Sequence, residues 1–325
     1  IEVRASVSQQ CSTFNASIFN LQSSIFNFHP SLNVTITAGE GVGTFTLPGF
    51  DYPPGQPAIN RTPRQMICHN LQNLPSLTLQ SPVVNLQSPV SSLQSPVFNL
   101  QCKAVYPPWR SNLQSSLNVT ISVPGGAKIA RRTFNPRLGI HGGISIIGVS
   151  GIVKPFSEYA FIQSIRKCIQ VAKATGSSRL VLNSGAKSER FVRELYPDLP
   201  AQAFVQYGNY IGQAISIAGE LRFPRVTLAV MLGKAVKLAA GHLDTHSKKT
   251  VMDKAHICDM LHEAGIHADI SHLTLARQLW DIIPTEKTDD FARTVIRHCH
   301  THCDPLLPNA PLTILLIDEQ GNIHS

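Results

Sequence analysis

The residues of this chain best suited to chemistry are gathered in a few short runs. The densest is Arg131 to Pro155, RRTFNPRLGIHGGISIIGVSGIVKP, where three arginines lead into a β-branched run punctuated by Gly139, Gly142, Gly143, Gly148 and Gly151, with Gly126 just upstream. Glycine admits backbone angles and close approaches that a Cβ forbids, so this density marks backbone built against a ligand or against another packed layer. A glycine-rich connection between two domains is the plainer alternative. Arginine pairs carboxylates through two parallel N–H···O bonds, so Arg131, Arg132 and Arg137, with Lys154 further on, suit a partner carrying several carboxylates.

Gly241-His-Leu-Asp-Thr-His-Ser-Lys248 is the second polar cluster. His242 and His246 are four apart, as zinc-binding pairs on a helix are, but no third ligand stands at a recognisable spacing. The reading preferred here is a ligand-facing loop in which His246 or Ser247 touches substrate, beside an ordinary capping role for Thr245 or Ser247. The third cluster is His298-Cys-His-Thr-His-Cys303. Its His298/His302 and Cys299/Cys303 pairs point in different directions around one helix, and four ligands from one unbroken helix cannot wrap a tetrahedral ion. Helix-end side chains are expected there, and no protein-bound metal.

These residues need elements to position them. From Pro155 and Ser157 a helix is expected, with Phe161, Ile165, Cys168, Ile169 and Ala172 at helical spacing. Arg179–Asn183 then reads as a buried strand, followed by a helix over Lys187–Leu195, a strand at Ala203–Tyr207, a helix over Asn209–Leu221, a strand at Arg225–Met231 and a helix from Gly233. Helices near Asp253–Ala264, Leu273–Ile283 and Thr288–Cys299 precede a last strand at Leu312–Asp318. Strands alternating with helices imply right-handed βαβ crossovers and an open parallel sheet. The fold class is α/β: a C-terminal Rossmann-like open parallel sheet over residues 153–325, plus a smaller, incomplete N-terminal α+β domain over 31–152. In such a sheet ligands sit beyond the carboxyl ends of the strands. Asn183-Ser-Gly185, Gly208-Asn209 and Leu232-Gly233-Lys234 lie at that edge, and helix starts there favour anions.

The N-terminal half is less regular. Leu-Gln-Ser-Pro recurs from Leu79, Leu86 and Leu93, and Pro82, Pro89 and Pro96 exclude a continuous helix with that period of seven. No charge lies between Asn70 and Gln101, so the tract can bury little. It reads as a low-complexity insertion spanning about 70–116, irregular and exposed over Asn70–Gln101, with a Pro-rich recognition arm as the alternative. Residues 1–30 form an atypical polar N-terminus rich in Ser, Asn and Phe.

The chain of 325 residues is long enough for two cores. It carries a net charge of +8 and 7 cysteines. The cysteines are scattered and odd in number, which argues for a reduced, cytoplasmic protein rather than a disulfide framework. No apolar run is long enough to cross a bilayer and no secretory leader is visible. Residues 1–150 hold nine Lys or Arg against Glu2, Glu40 and Asp51, whereas the remainder is nearly balanced. A basic half calls for an anionic partner. The arginines are not interleaved with aromatics or set along one helix face, so nucleic acid is not expected and a small polycarboxylate is.

The words of the sequence sharpen this. Residues 133–158, TFNPRLGIHGGISIIGVSGIVKPFSE, closely resemble the signature of cobalt-precorrin-5B C1-methyltransferases, the CbiD family of anaerobic cobalamin biosynthesis. Ala38-Gly-Glu-Gly-Val-Gly43, Pro48-Gly49, Gly55-Gln-Pro-Ala-Ile-Asn60 and Pro63-Arg64 are similar to its first glycine-rich segment and GEPAIN-type loop. Tyr207-Gly-Asn209 through Gly212, Gly233-Lys234, Lys237-Leu-Ala-Ala-Gly241 and Thr245-His-Ser-Lys248 follow in the family's order. The family's opening Gly-Tyr-Thr-Thr-Gly-Thr-Cys-like segment has no counterpart here, which leaves the first domain incomplete.

The resemblance implies transfer of a methyl group from S-adenosylmethionine to C1 of an anionic cobalt tetrapyrrole, cobalt-precorrin-5B, giving cobalt-precorrin-6A, with cobalt arriving inside the substrate. It implies substrate contacts from Arg131, Asn135, Arg137, Gly142, Gly143, Ser145, Lys154, Thr245, His246 and Ser247. Asn209, Gly233 and Lys234 would serve the methyl donor. Such a reaction asks the protein for alignment and exclusion of water rather than covalent chemistry, in keeping with the absence of a legible catalytic triad. A degenerate, non-catalytic corrinoid-binding protein is the competing reading. A nucleotide-dependent enzyme is a third, against which stands the lack of a GxGxxG after any strand.

Overall fold

The structure, a computed structural model, describes residues 33–72, 116–147, 157–247 and 249–325, together with the backbone of four strands at Glu2–Val7, Ile25–Phe26, Leu77–Thr78 and Asn99–Lys103. The chain divides into two units, Ile1–Pro155 and Phe156–Ser325.

The first unit contains strands β1 (Glu2–Val7), β2 (Ile25–Phe26), β3 (Asn33–Ala38), β4 (Gly41–Val42) and β5 (Thr44–Phe45), then helix α1 (Arg61–Gln72). Strands β6 (Leu77–Thr78), β7 (Asn99–Lys103) and β8 (Ser116–Ser122), helix α2 (Gly126–Ala130), and strands β9 (Ile140–His141) and β10 (Gly143–Ile144) complete it. Its main sheet has the order β3-β8-β1-β7, in which β1 is antiparallel to β8 and parallel to β7. The short strands pair as β4 with β10 and β5 with β9. Ile36, Val42, Ile59, Val119 and Ile121 close its core.

Two expectations change here. Asn70–Gln72 end α1, Leu77–Thr78 pair with β2, and Asn99–Gln101 open β7, so both ends of the Asn70–Gln101 tract are regular backbone. The run after Pro96 holds no further proline before Pro107, so its N–H groups are free to join a ladder. Residues 79–98, which carry Pro82, Pro89 and Pro96, lie outside the described residues. Likewise Arg131–Gly139 is not an extended segment with alternating faces. It folds into consecutive turns, with amides of Thr133, Arg137 and Leu138 bonded to the carbonyls of Ala130, Phe134 and Asn135. Proline pre-sets the backbone for the second position of a turn, and Pro136 takes that position between Asn135 and Leu138.

The second unit runs α3 (Glu158–Ala174), β11 (Leu180–Asn183), α4 (Ala186–Leu195), β12 (Phe204–Gln206), α5 (Ile211–Glu220), β13 (Val226–Met231), α6 (Leu232–Ala239), α7 (Lys254–Glu263), α8 (Leu279–Ile282), α9 (Thr288–Cys303), β14 (Leu312–Ile317) and β15 (Ile323–His324). Ser157 caps α3 by accepting the Ala160 amide at 3.2 Å, and Asp253 caps α7 through the His256 amide at 3.0 Å. The sheet order is β12-β11-β13-β14-β15, parallel except for the last strand. Side chains alternate across it as strand geometry requires. Leu180, Leu182, Leu228, Val230, Ile314 and Leu316 meet the helical layer that includes α3, α5, α6, α7 and α9, while Val181, Phe204, Ala229, Leu315 and Ile317 meet α4.

This is the parallel α/β arrangement that the alternating pattern implies. The continuous helix expected over Leu273–Ile283 is instead a 3-10 turn, Ala276–Gln278, followed by the single turn α8. The Gln278 side chain takes the amides of Thr274 and Leu275 at 3.0 and 2.9 Å, which starts the turn late, and Pro284 stops it early.

Candidate functional site

The chain leaves β11 toward β12 on one side and β13 lies on the other, so the order of connections reverses at β11. Loops after these strands converge at the sheet's carboxyl edge, the place where open parallel sheets receive ligands. After β12 the chain turns through Tyr207, Gly208 and Asn209. The Tyr207 ring is fully buried, its hydroxyl donating to the Ala229 carbonyl at 3.1 Å. Gly208 has φ +63°, and a Cβ there would stand 3.0 Å from the Phe161 ring, so the turn needs glycine on both counts.

Lys234, in the first turn of α6, lies beneath this turn. Its ammonium donates to the Gly208 carbonyl and to Asn209 Oδ1, the latter at 2.9 Å, and sits 5.5 Å from the Tyr207 ring centroid. Burial, reinforced by the neighbouring charge of Lys237 and partly offset by Asp244, lowers its pKa to about 8. Desolvation penalises the charged form. Two of the three ammonium protons are committed to protein oxygens, which leaves one for a ligand.

The other side of Asn209 is held by the 241–247 loop. Its main-chain carbonyl accepts the Thr245 amide at 3.0 Å and the Thr245 hydroxyl at 3.4 Å. Thr245 is buried. Asp244 shapes the loop by accepting the His246 amide at 3.1 Å and the Lys249 ammonium at 2.7 Å. Burial alone would raise the Asp244 carboxyl, but the hydrogen bonds from Lys249 and the His246 amide, with their charges, outweigh it and hold it below the ordinary value. Ser247 is exposed and His246 half-buried. The structure therefore joins Asn209, Lys234 and Thr245, assigned from sequence to two different ligands, in one hydrogen-bonded cluster. Gly233 stands beside Lys234, exposed, with no atom within 4 Å of where a Cβ would be.

His242 and His246 lie on this loop rather than on a helix. In the third cluster, Cys299 and Cys303 are buried in the core, whereas His298 bonds Glu263 Oε2 at 2.7 Å and His300 bonds Asp304 at 2.8 Å. No group of three or more His, Cys, Asp or Glu is gathered as for a metal among the described residues.

In the first unit, Asn135 is buried at the centre of a separate network. Its Nδ2 donates to the Gly143 carbonyl at 3.1 Å, and its Oδ1 accepts the Ser145 hydroxyl at 3.2 Å. The turn places it: Thr133 Oγ1 donates to Ala130 O at 2.7 Å and accepts the Asn135 amide at 3.2 Å. Gly143 is glycine for packing reasons, since a Cβ would stand 2.1 Å from the Gly41 backbone. Gly142 is exposed with φ +87°. Arg131 is exposed and Arg137 half-buried. Lys154 lies outside the described residues.

Sequence reading missed Tyr207 as the floor of the first cluster and the Asp244–Lys249 pair that braces its loop. Asp244 had a legible signal, since an Asp bonding the amide two residues on is a standard turn former. Tyr207 had none, because a ring between strand and turn reads as ordinary core.

Comparison with known proteins decides the family. The CbiD family model matches residues 12–89 and 97–155. A cobalt-precorrin-5B C(1)-methyltransferase from Prosthecochloris aestuarii is 36% identical over 296 residues, covering 90% of this chain and 71% of that protein. The chain belongs to the CbiD family. Proteins of the same name from Geobacillus thermodenitrificans (38% identity, 72% of this chain and 54% of that protein) and Brucella canis (33%, 93% and 74%) agree. The crystal structure of the cobalamin biosynthesis protein (cbiD) from Archaeoglobus fulgidus aligns at 18% identity over 70% of this chain and 58% of that one. Its TM-score of 0.22 is too low to carry a structural argument. Its relatives' names make this CbiD-family chain a methyltransferase of cobalamin biosynthesis. No helix among the described residues is long and apolar enough to cross a membrane.

Proposed function

We propose that this chain transfers a methyl group from S-adenosylmethionine to C1 of cobalt-precorrin-5B, giving cobalt-precorrin-6A, in the cytoplasm. The observation that carries the reading is the 36% identity, over 90% of this chain, to a protein named cobalt-precorrin-5B C(1)-methyltransferase. The carboxyl-edge cluster supports it. A donor of this kind supplies an already activated methyl group together with a carboxylate. Lys234 offers a cation and a spare N–H to that carboxylate, Asn209 fixes the Lys234 ammonium, and Gly233 leaves the helix start open. The first amides of α6 have no intrahelical acceptor, and Met231, at its cap, provides no side-chain bond.

The corrinoid carries several carboxylates, and Arg131, Arg137 and Lys154 supply matching charge. Asn135 holds Gly143 and Ser145 in a fixed arrangement beside the Gly142 turn. His246 and Ser247 complete the polar surface offered to substrate, and the buried Thr245 holds their loop to Asn209. In this reading the protein's contribution is alignment of two reactants and exclusion of water.

Incubation with cobalt-precorrin-5B and methyl-labelled S-adenosylmethionine tests this. Label in the macrocycle, with S-adenosylhomocysteine formed in equal amount, is the expected result. Corrinoid binding without label transfer would replace the enzyme by a binding protein.

A further inference from the structure

Four helices of the second unit end in the same way. At the ends of α3, α5, α6 and α7, the residue after the cap donates to the carbonyl three back, and the next residue donates to the carbonyl five back. This motif puts the residue after the cap in the left-handed region, where glycine is favoured. Three of the four have it: Gly176 (φ +77°), Gly241 (φ +89°) and Gly265 (φ +72°). The fourth, at the end of α5, is Arg222 (φ 52°), the single non-glycine residue with positive φ among those described. A left-handed Cβ is a standing cost to the fold, and such outliers gather at functional sites.

Arg222 lines a surface concavity of about 430 Å³ at the amino-terminal edge of the sheet, between the starts of β13 and β14. Phe223, Pro224, Leu307 and Ala310 supply apolar walls and Asn309 an amide. Neither Arg222 nor Asn309 has a side-chain hydrogen bond or ion pair among the described residues. The surrounding charge is positive. Lys173 donates to the Leu221 carbonyl, the residue beside Arg222, and Arg225 is exposed two residues after the pocket wall begins. Glu220, the nearby acid, is bonded to Arg166 at 2.7 Å.

We propose that this concavity is a second binding site, at the opposite end of the sheet from the Lys234 cluster, for a small organic anion with an apolar body. Arg222 pairs with the anionic group, Asn309 adds a hydrogen bond, and Phe223, Pro224 and Leu307 take the apolar part. A free cation above an apolar floor favours that combination over either an inorganic anion or a neutral ligand.

The strain provides a clean test, because Arg222→Gly removes the guanidinium while relieving the backbone. The probe is 2-naphthoate, with neutral 2-naphthamide as its isostere, titrated at low ionic strength against the full chain. Expected are binding of naphthoate in preference to naphthamide and at least a tenfold weakening in Arg222→Gly. That variant should melt about 2–4 °C higher than the parent. Arg222→Lys should retain part of the affinity, and Lys234→Met all of it. No binding of naphthoate, equal binding of naphthamide, or unchanged affinity in Arg222→Gly would overturn the proposal. Loss of naphthoate binding in Lys234→Met alone would assign the anion to the carboxyl edge instead.

Discussion

The Lys234 ammonium lies 2.9 Å from Asn209 Oδ1, tying the first turn of α6 to the loop that follows β12. Because its pKa is lowered to about 8, the pair changes charge just above neutrality. A donor whose carboxylate is held by Lys234 should bind with constant affinity below pH 8 and progressively less tightly above it, following loss of one proton from the lysine. Calorimetric titration of S-adenosylhomocysteine from pH 6.5 to 9.5 measures this. Lys234→Arg should flatten the profile, since a guanidinium stays charged throughout. An identical pH dependence in both proteins would remove Lys234 from the donor site.

The same group sets the sign of a stability effect. The folded state holds Lys234 below its unfolded value near 10.5, so between pH 8 and about 10.5 the unfolded chain binds more protons. Stability conferred at this position therefore rises with pH across that window, the reverse of a salt-bridged lysine. Compared with Lys234→Met, the parent should gain in melting temperature as pH is raised from 8 to 10. A parent that loses ground to the variant over that range would show the ammonium to be stabilised rather than desolvated.

Asn135 makes a prediction about the first unit. Its amide donates to one carbonyl and accepts from one hydroxyl in a buried setting. Asn135→Ala should cost about 1–3 kcal/mol in urea unfolding by orphaning the Gly143 carbonyl and the Ser145 hydroxyl. Asn135→Asp should cost more, because a carboxylate would replace the donor that faces the Gly143 oxygen. Ser145→Ala, which removes only one bond from a half-buried residue, should cost least. The reverse order would mean that Asn135 is not the centre of the network.

Much of the second unit was legible from sequence because its signals are local. Phe161, Ile165, Ile169 and Ala172 recur at helical spacing, and runs such as Val226–Met231 are short and apolar between glycine or proline breaks. The helix over Leu273–Ile283 failed because one side chain, Gln278, captured two backbone amides, a competition that hydrophobic spacing does not register. The first unit was harder. Its sheet joins β1 to β7 across a long, compositionally plain stretch, and nothing within either strand names its partner. At the site, Gly208, Asn209 and Lys234 were visible as residues at strand ends. Their union with Thr245 was not, because it depends on a loop-to-loop hydrogen bond from a segment 36 residues away.

Arg137 tests the substrate side of the proposed function. With the Arg131–Gly139 segment folded into turns, Arg131 and Arg132 are both exposed and Arg137 is half-buried, so Arg137 is the arginine with most to lose when its charge is removed. Arg137→Gln should weaken cobalt-precorrin-5B binding by about 1–3 kcal/mol if it pairs with a carboxylate. Arg132→Gln should change it little. Equal small effects in proteins shown to be folded would reduce the basic cluster to a solvated face.

Gly142 and Gly143 are neighbours with opposite reasons for being glycine, and alanine separates them. At Gly142 the backbone is left-handed but the nearest atom to an added Cβ is 4.0 Å away, so Gly142→Ala should cost about 1 kcal/mol in conformational strain. At Gly143 an added Cβ would lie 2.1 Å from the carbonyl carbon and oxygen of Gly41. Those atoms belong to backbone that pairs with this same strand, so they cannot rotate aside as a side chain would. Gly143→Ala should therefore force β4 and β10 apart and cost more, at least the about 1–3 kcal/mol of an overpacked core. Chemical denaturation of both variants measures the difference. A Gly143→Ala protein as stable as Gly142→Ala would mean that β4 moves freely, and that this close approach is not what holds the glycine-rich segment in place.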